Sequence, residues 1–129
     1  MKIVRNSTAA LMICGSLAVS ACSTSNTQLA EGANVGDRQQ CIRLQAVDQT
    51  PVIDDSTILV EMRGGGYRRI DLVQPCLGLK IEEGFSFATS TQDICTSTGL
   101  RVIRDGNFCM IKDIVTIDKE EAKALKARR

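Results

Sequence analysis

Between residues 41 and 118 the pattern of apolar and polar positions is mostly strand-like, with apolar residues recurring at alternate positions in several segments. In Thr57-Ile58-Leu59-Val60-Glu61-Met62, β-branched residues are frequent and Ile58, Val60 and Met62 share one face. Arg63-Gly64-Gly65-Gly66 interrupts the pattern and Tyr67-Arg68-Arg69-Ile70-Asp71-Leu72-Val73 resumes it. The glycines adopt positive φ without steric cost, so this is a predicted hairpin. Pro75 ends the second strand because it has no N–H for a ladder. Leu79-Lys80-Ile81-Glu82 alternates again and predicts another strand, after which Phe85 and Phe87 flank Ser86 and point together into the core. The polar run from Ser90 to Gly99 predicts a loop. Arg101-Val102-Ile103-Arg104 predicts a strand ending in the turn Asp105-Gly106-Asn107. In the last strand, Phe108 to Ile117, the isoleucines at 111, 114 and 117 recur every three residues. Strict alternation forbids that spacing, and a β-bulge would reconcile it.

The flanks follow other patterns. Residues 23–40 offer few apolar side chains and predict a flexible tether, spanning about 20–25 Å as a coil. The tail, residues 119–129, predicts a helix capped by Asp118, with Glu121 at the capping-box position and a basic end that suits the helix dipole. Leu125 is its only large apolar residue. A helix this short is marginal in water, so the expectation is a frayed, solvated tail.

The N-terminus opens with Lys2 and Arg5, continues with a short apolar run from Ala9 to Val19, and closes with Val19-Ser20-Ala21-Cys22. The run is shorter than the ~20 apolar residues of a permanent bilayer span, and small residues before the cysteine fit a cleavage site. This layout resembles a bacterial lipoprotein signal with its lipobox. The resemblance implies removal of residues 1–21 and lipidation of Cys22 with three acyl chains, enough for stable anchoring where one chain is not. Ser23 follows the lipidated cysteine where an Asp commonly signals inner-membrane retention, which favours the periplasmic face of the outer membrane. The expected organisation is a signal peptide at 1–21, an anchor and tether at 22–40, a β domain at 41–118 and a helical tail at 119–129.

Loss of residues 1–21 takes the formal charge from +1 to −1, a balance with no electrostatic footprint for nucleic acid. It also partitions the six cysteines. Cys14 leaves, Cys22 carries lipid, and Cys41, Cys76, Cys95 and Cys109 remain. In an oxidising compartment four cysteines form disulfides, with three possible pairings. A zinc site is disfavoured because no two of the four stand at Cys-x2–4-Cys spacing and the chain has no histidine. The favoured pairing is Cys41–Cys109 with Cys76–Cys95, joining the first and last elements as in a closed sheet. The chain-entropy account gives about 3 kcal/mol for the shorter loop and about 4 for the longer. Staples are expected because so small a core is marginal without them.

The absence of histidine also removes Ser-His-Asp and Cys-His catalysis. Of the carboxylate pairs, Asp54-Asp55 reads as a turn before the strand at Ile58, since adjacent extended residues point to opposite faces; Glu82-Glu83 before Gly84 reads likewise. The glycine triplet lacks the Gly-Lys-Ser/Thr ending of a phosphate loop. With no tryptophan and only Tyr67, Phe85, Phe87 and Phe108, an aromatic stacking platform is thin. Arg63, Arg68 and Arg69 surround the hairpin turn, most simply as a solvated tip, with an acidic partner or lipid headgroups as the alternative.

Laid out together, Cys41-Ile42, Asp54-Asp55 with Thr57-Ile58-Leu59-Val60, Tyr67 leading Ile70-Asp71-Leu72, Cys76-Leu77-Gly78-Leu79, Ile94-Cys95, and Cys109-Met110-Ile111 before Ile114 form a pattern. Over residues 41–117 it resembles an uncharacterised family of proteobacterial exported proteins with four core cysteines and no established activity. Thr96-Ser97-Thr98-Gly99 departs from it, standing where an acidic residue often follows the third cysteine. The expected fold is mainly β, a small antiparallel barrel or sandwich of about five to seven strands with two disulfides and a short C-terminal helix. The expected function is a membrane-anchored periplasmic lipoprotein acting as a non-catalytic binding or structural module, with the membrane and an envelope protein as partners and no cofactor. Two alternatives are an inhibitor like the small lipoproteins that block lysozyme, whose Ser-Gly-x-x-Tyr element is absent here, and a carboxylate-dependent hydrolase.

Overall fold

The computed structural model describes residues 34–129, so the expected signal peptide at 1–21 and the expected lipidation at Cys22 lie outside the described residues. The chain forms β1 (Cys41–Arg43), a 3-10 turn (Leu44–Ala46), β2 (Val47–Gln49), β3 (Val52–Asp54), β4 (Thr57–Met62) and β5 (Tyr67–Leu72). A one-turn helix α1 (Leu79–Glu82) leads to β6 (Phe85–Ala88), β7 (Asp93–Cys95), β8 (Gly99–Val102), β9 (Phe108–Ile117) and helix α2 (Lys119–Ala127). Seven strands make one antiparallel sheet in the order β2-β4-β5-β9-β8-β6, with β3 also on β4, and the sheet curls into a half-barrel. A second sheet pairs β1 with β7.

The concave face holds the main core. Ile58 of β4, Ile70 of β5 and Ile114 of β9 stand in register across three strands, all fully buried. Ile42 and Ile94 from the small sheet join them, and Phe85 and Phe87 pack against the cluster edge to face, ring centroids 5.3 Å apart. The predicted bulge sits at Lys112, where Asp71 pairs with Asp113 but Leu72 pairs with Ile111. It puts Ile111 and Ile114 on the same side. Ile117 needs no bulge, because its side of the sheet is also covered.

That cover is α2, and it corrects the expectation of a frayed tail. Ala122 and Leu125 pack on Ile53, Leu59 and Ile117 of the convex face. Asp118 caps the helix, its Oδ1 accepting the Glu121 N–H at 2.7 Å, while the Glu121 carboxylate accepts from Arg69 Nη1 at 2.6 Å instead of closing the capping box. Lys126–Glu61 (2.7 Å) and Arg129–Glu83 (2.7 Å) fasten the helix further. The helix is stable because tertiary burial compensates for its short length.

Three other expectations change. Residues 36–39, predicted as tether, line β9: the Gly36 N–H donates to Thr116 O and the Gln39 N–H to Ile114 O. On that side β8 reaches only Phe108–Met110, so the rest of β9 needs backbone partners whatever side chains bring them. Leu79–Glu82 is helical, not extended, capped at both ends by left-handed residues, Gly78 and Glu83. Within the predicted loop 90–99, β7 pairs with β1 around the buried Ile94.

The disulfides join Cys41 to Cys95 and Cys76 to Cys109. This corrects the pairing Cys41–Cys109 with Cys76–Cys95 and makes the loops interleaved, not nested. Cys41 and Cys95 are register partners on β1 and β7. Cys76 is buried after β5, where Cys109 enters the same core from β9.

Candidate functional site

The carboxylate pairs hold loops. Asp54 Oδ1 accepts the Ser56 N–H (2.8 Å), closing the turn between β3 and β4. Asp55 Oδ1 accepts the Lys80 N–H (2.8 Å) and its carbonyl accepts the Cys76 N–H (2.6 Å), so one residue fixes both α1 and the buried disulfide. Glu82 pairs with Arg104 (3.4 Å), and Glu83 with Arg129. No group of three metal-ligating side chains occurs among the described residues, and none of their helices is long and apolar enough to cross a membrane.

The three arginines of the hairpin do not form one cluster. Arg63 is exposed and donates from Nε to Val47 O (3.1 Å). Arg68 and Arg69 point to opposite faces, as strand neighbours must. On the convex face Arg69 bridges Asp71 (3.0 Å) and Glu121 (2.6 Å). These residues line a cleft of about 300 Å³ beside α2, with Thr57, Leu125 and Arg128. Two acids meet there, but the guanidinium between them ties up both, so the cleft presents no free acid and base pair.

On the concave face Arg68 stands in register between Val60 and Thr116. This row lies at the mouth of the half-barrel, just outside the isoleucine row. Arg68 donates from Nε to Gln39 Oε1 (2.7 Å) and from Nη1 to Tyr67 O (2.9 Å). Burial pushes its pKa below the ordinary arginine value. The Thr116 hydroxyl is buried and has no hydrogen-bond partner among the described residues. In the sequence Arg68 stands in one group with Arg63 and Arg69 around the hairpin turn. The signal that distinguishes it is positional, since Arg68 alternates in phase with Ile70 and Leu72 and is the charged member of a core-facing set.

An apolar surface occupies the other end of the sheet. Leu77 is 70% exposed, Ile81 86% and Ile103 65%, and Phe108 and Met110 of β9 are also exposed. The α1 loop crosses the β8–β9 turn here: Asn107 Nδ2 donates to Leu77 O, and the Ile103 N–H to Gly84 O. The Phe108 ring lies over Gly99, where a Cβ would collide with it. Alternation of Leu79 with Ile81 holds in the sequence, but the helical turn sends Ile81 outward.

No curated protein and no solved structure matches the chain. A family of unknown function does, over residues 5–129, nearly the whole sequence. By that match the chain belongs to DUF6491, a family of unknown function.

Proposed function

We propose that the chain is a lipoprotein held by acyl chains on Cys22 at the periplasmic face of the outer membrane, and that its β domain is a non-catalytic binding or structural module of the envelope. The observation that supports binding most is the apolar end formed by Leu77, Ile81, Ile103 and Phe108, because exposed apolar side chains grouped in one place mark interaction surfaces. Its placement fits a tethered protein. The segment leading back to Cys22 runs beside Thr116 of β9, and the Leu77 carbonyl at the apolar end meets Asn107, next to Phe108 at the start of β9. At strand rise these two points are about 25–30 Å apart, so the surface stands away from the anchor. The roles of Asp54, Asp55, Glu82 and Glu83 in holding loops favour binding over hydrolysis.

Photo-cross-linking in cells tests the proposal. A photoreactive residue at Ile81 is expected to capture an envelope protein, and one at the exposed Lys123 on α2 is not. Equal labelling from both positions, together with an unchanged envelope in a deletion strain, would count against a binding role.

A further inference from the structure

We infer that Arg68 anchors an oxyanion site at the mouth of the half-barrel, and that its ligand is the phosphate of a membrane lipid headgroup. The site itself stands on geometry alone; the lipid assignment rests on the anchored reading above.

A guanidinium has five N–H donors. Arg68 gives one to Gln39 Oε1 and one to Tyr67 O, both neutral acceptors. Three remain without an acceptor among the described residues. Arg69, on the other face, bridges two carboxylates, whereas Arg68 makes no ion pair among the described residues. A part-buried cation without a counter-charge is costly, and a planar fork of free donors matches carboxylate or phosphate oxygens. Thr116 adds an independent sign: it faces Arg68 directly across the β5–β9 ladder, and its buried hydroxyl has no partner among the described residues. Such a group is rare in a settled interior. Asp37 shares this edge, but its Oδ2 accepts the Asn34 N–H at 2.9 Å and makes no ion pair with Arg68.

The choice of phosphate on a lipid comes from where the chain leaves. Gly36 and Asp37 hydrogen-bond to the backbone of Thr116, so the segment toward Cys22 departs beside Arg68. Residues 22–33 span at most about 40 Å fully extended. A lipid on Cys22 would hold the mouth within that reach of a surface dense in headgroup phosphate, where effective concentration favours even a weak site.

The test uses the full chain in non-ionic detergent, followed by nuclear magnetic resonance of backbone and arginine Nε–H signals during titration with inorganic phosphate. Saturable shifts at Arg68, Gln39 and Thr116 are expected, about tenfold weaker in Arg68→Gln and unchanged in Arg63→Gln. Arg68→Lys keeps the charge but loses the fork, and should fall between them. Asp37→Asn should tighten binding. No saturable shift, or equal affinity in Arg68→Gln and the parent, would overturn the site. In a second arm, nanodiscs of phosphatidylglycerol should shift the same three residues and nanodiscs of an uncharged glycolipid should not. Equal responses to both would overturn the lipid assignment. An unmodified Cys22 would sink the anchored reading and leave the phosphate titration unaffected, so the two failures are distinguishable.

Discussion

Cys41 stands directly opposite Cys95 in the β1–β7 ladder, and the disulfide between them is a cross-strand tie at the surface, unlike the buried bridge from Cys76 to Cys109. Each closes a loop whose chain-entropy contribution is about 4 kcal/mol, although interleaving makes the two contributions non-additive. Peptide mapping without reduction should therefore recover the pairs 41–95 and 76–109. Under mild reductant the exposed Cys41–Cys95 bridge should open first, because thiolate attack requires access. Recovery of a Cys41–Cys109 peptide would refute the interleaved pairing.

Asp55 should matter for stability. Asp55→Ala leaves the Lys80 N–H without its acceptor and releases α1 beside the buried disulfide, at a cost of about 1–3 kcal/mol. Asp54→Ala loses a local turn bond and a long surface contact to Arg128, and should cost about 1 kcal/mol or less. Urea denaturation midpoints would give the order. A larger loss in Asp54→Ala would contradict these roles.

The tail helix should depend on Leu125 more than on its charges. Leu125→Ala removes the main apolar contact with Ile53, Leu59 and Ile117, a loss of about 2–4 kcal/mol. Glu121→Gln breaks an ion pair that is about a third exposed, and should cost less than about 1 kcal/mol. Equal losses in urea would mean that α2 is held mainly by electrostatics.

The charge holding α2 to β4 has a defined pH range. The hydrogen bond that Lys126 donates to the Glu61 carboxylate raises the Lys126 pKa above the ordinary lysine value, partly opposed by desolvation and aided by the charge of Glu61 and by Tyr67. A raised folded-state value means the stabilisation is complete below the unfolded lysine pKa, near 10.4, and is lost as pH rises through the folded one. The stability difference between the parent and Lys126→Met should thus be constant from pH 5 to 9 and shrink above about pH 10.4. A difference that already shrinks near neutrality would contradict this.

Much of this architecture is legible in the sequence because several strands bury residues on one face at alternate positions. The hairpin about Gly64–Gly66, the Phe85 and Phe87 pair and the β9 bulge follow from alternation and turn chemistry. What escapes are features set by distant partners. Residues 36–39 are ordered by backbone bonds to β9, which no side-chain pattern announces. Helix α2 is held by a second buried face of β4 that strict one-sided alternation does not predict, although Leu59, between Ile58 and Val60, is its trace. The disulfide pairing depends on β1 meeting β7, a contact between strands of three residues each. At the mouth, the sequence alone groups Arg68 with Arg63 and Arg69, and its register with Thr116 separates it from them.

The proposed lipid anchor at Cys22 is open to measurement. Intact mass spectrometry of the chain extracted from bacterial membranes reads it out. The expected result is a mature protein beginning at Cys22, carrying the added mass of a thioether-linked diacylglyceryl group and an N-acyl chain. A chain that begins elsewhere, or one that begins at an unmodified Cys22, would contradict it.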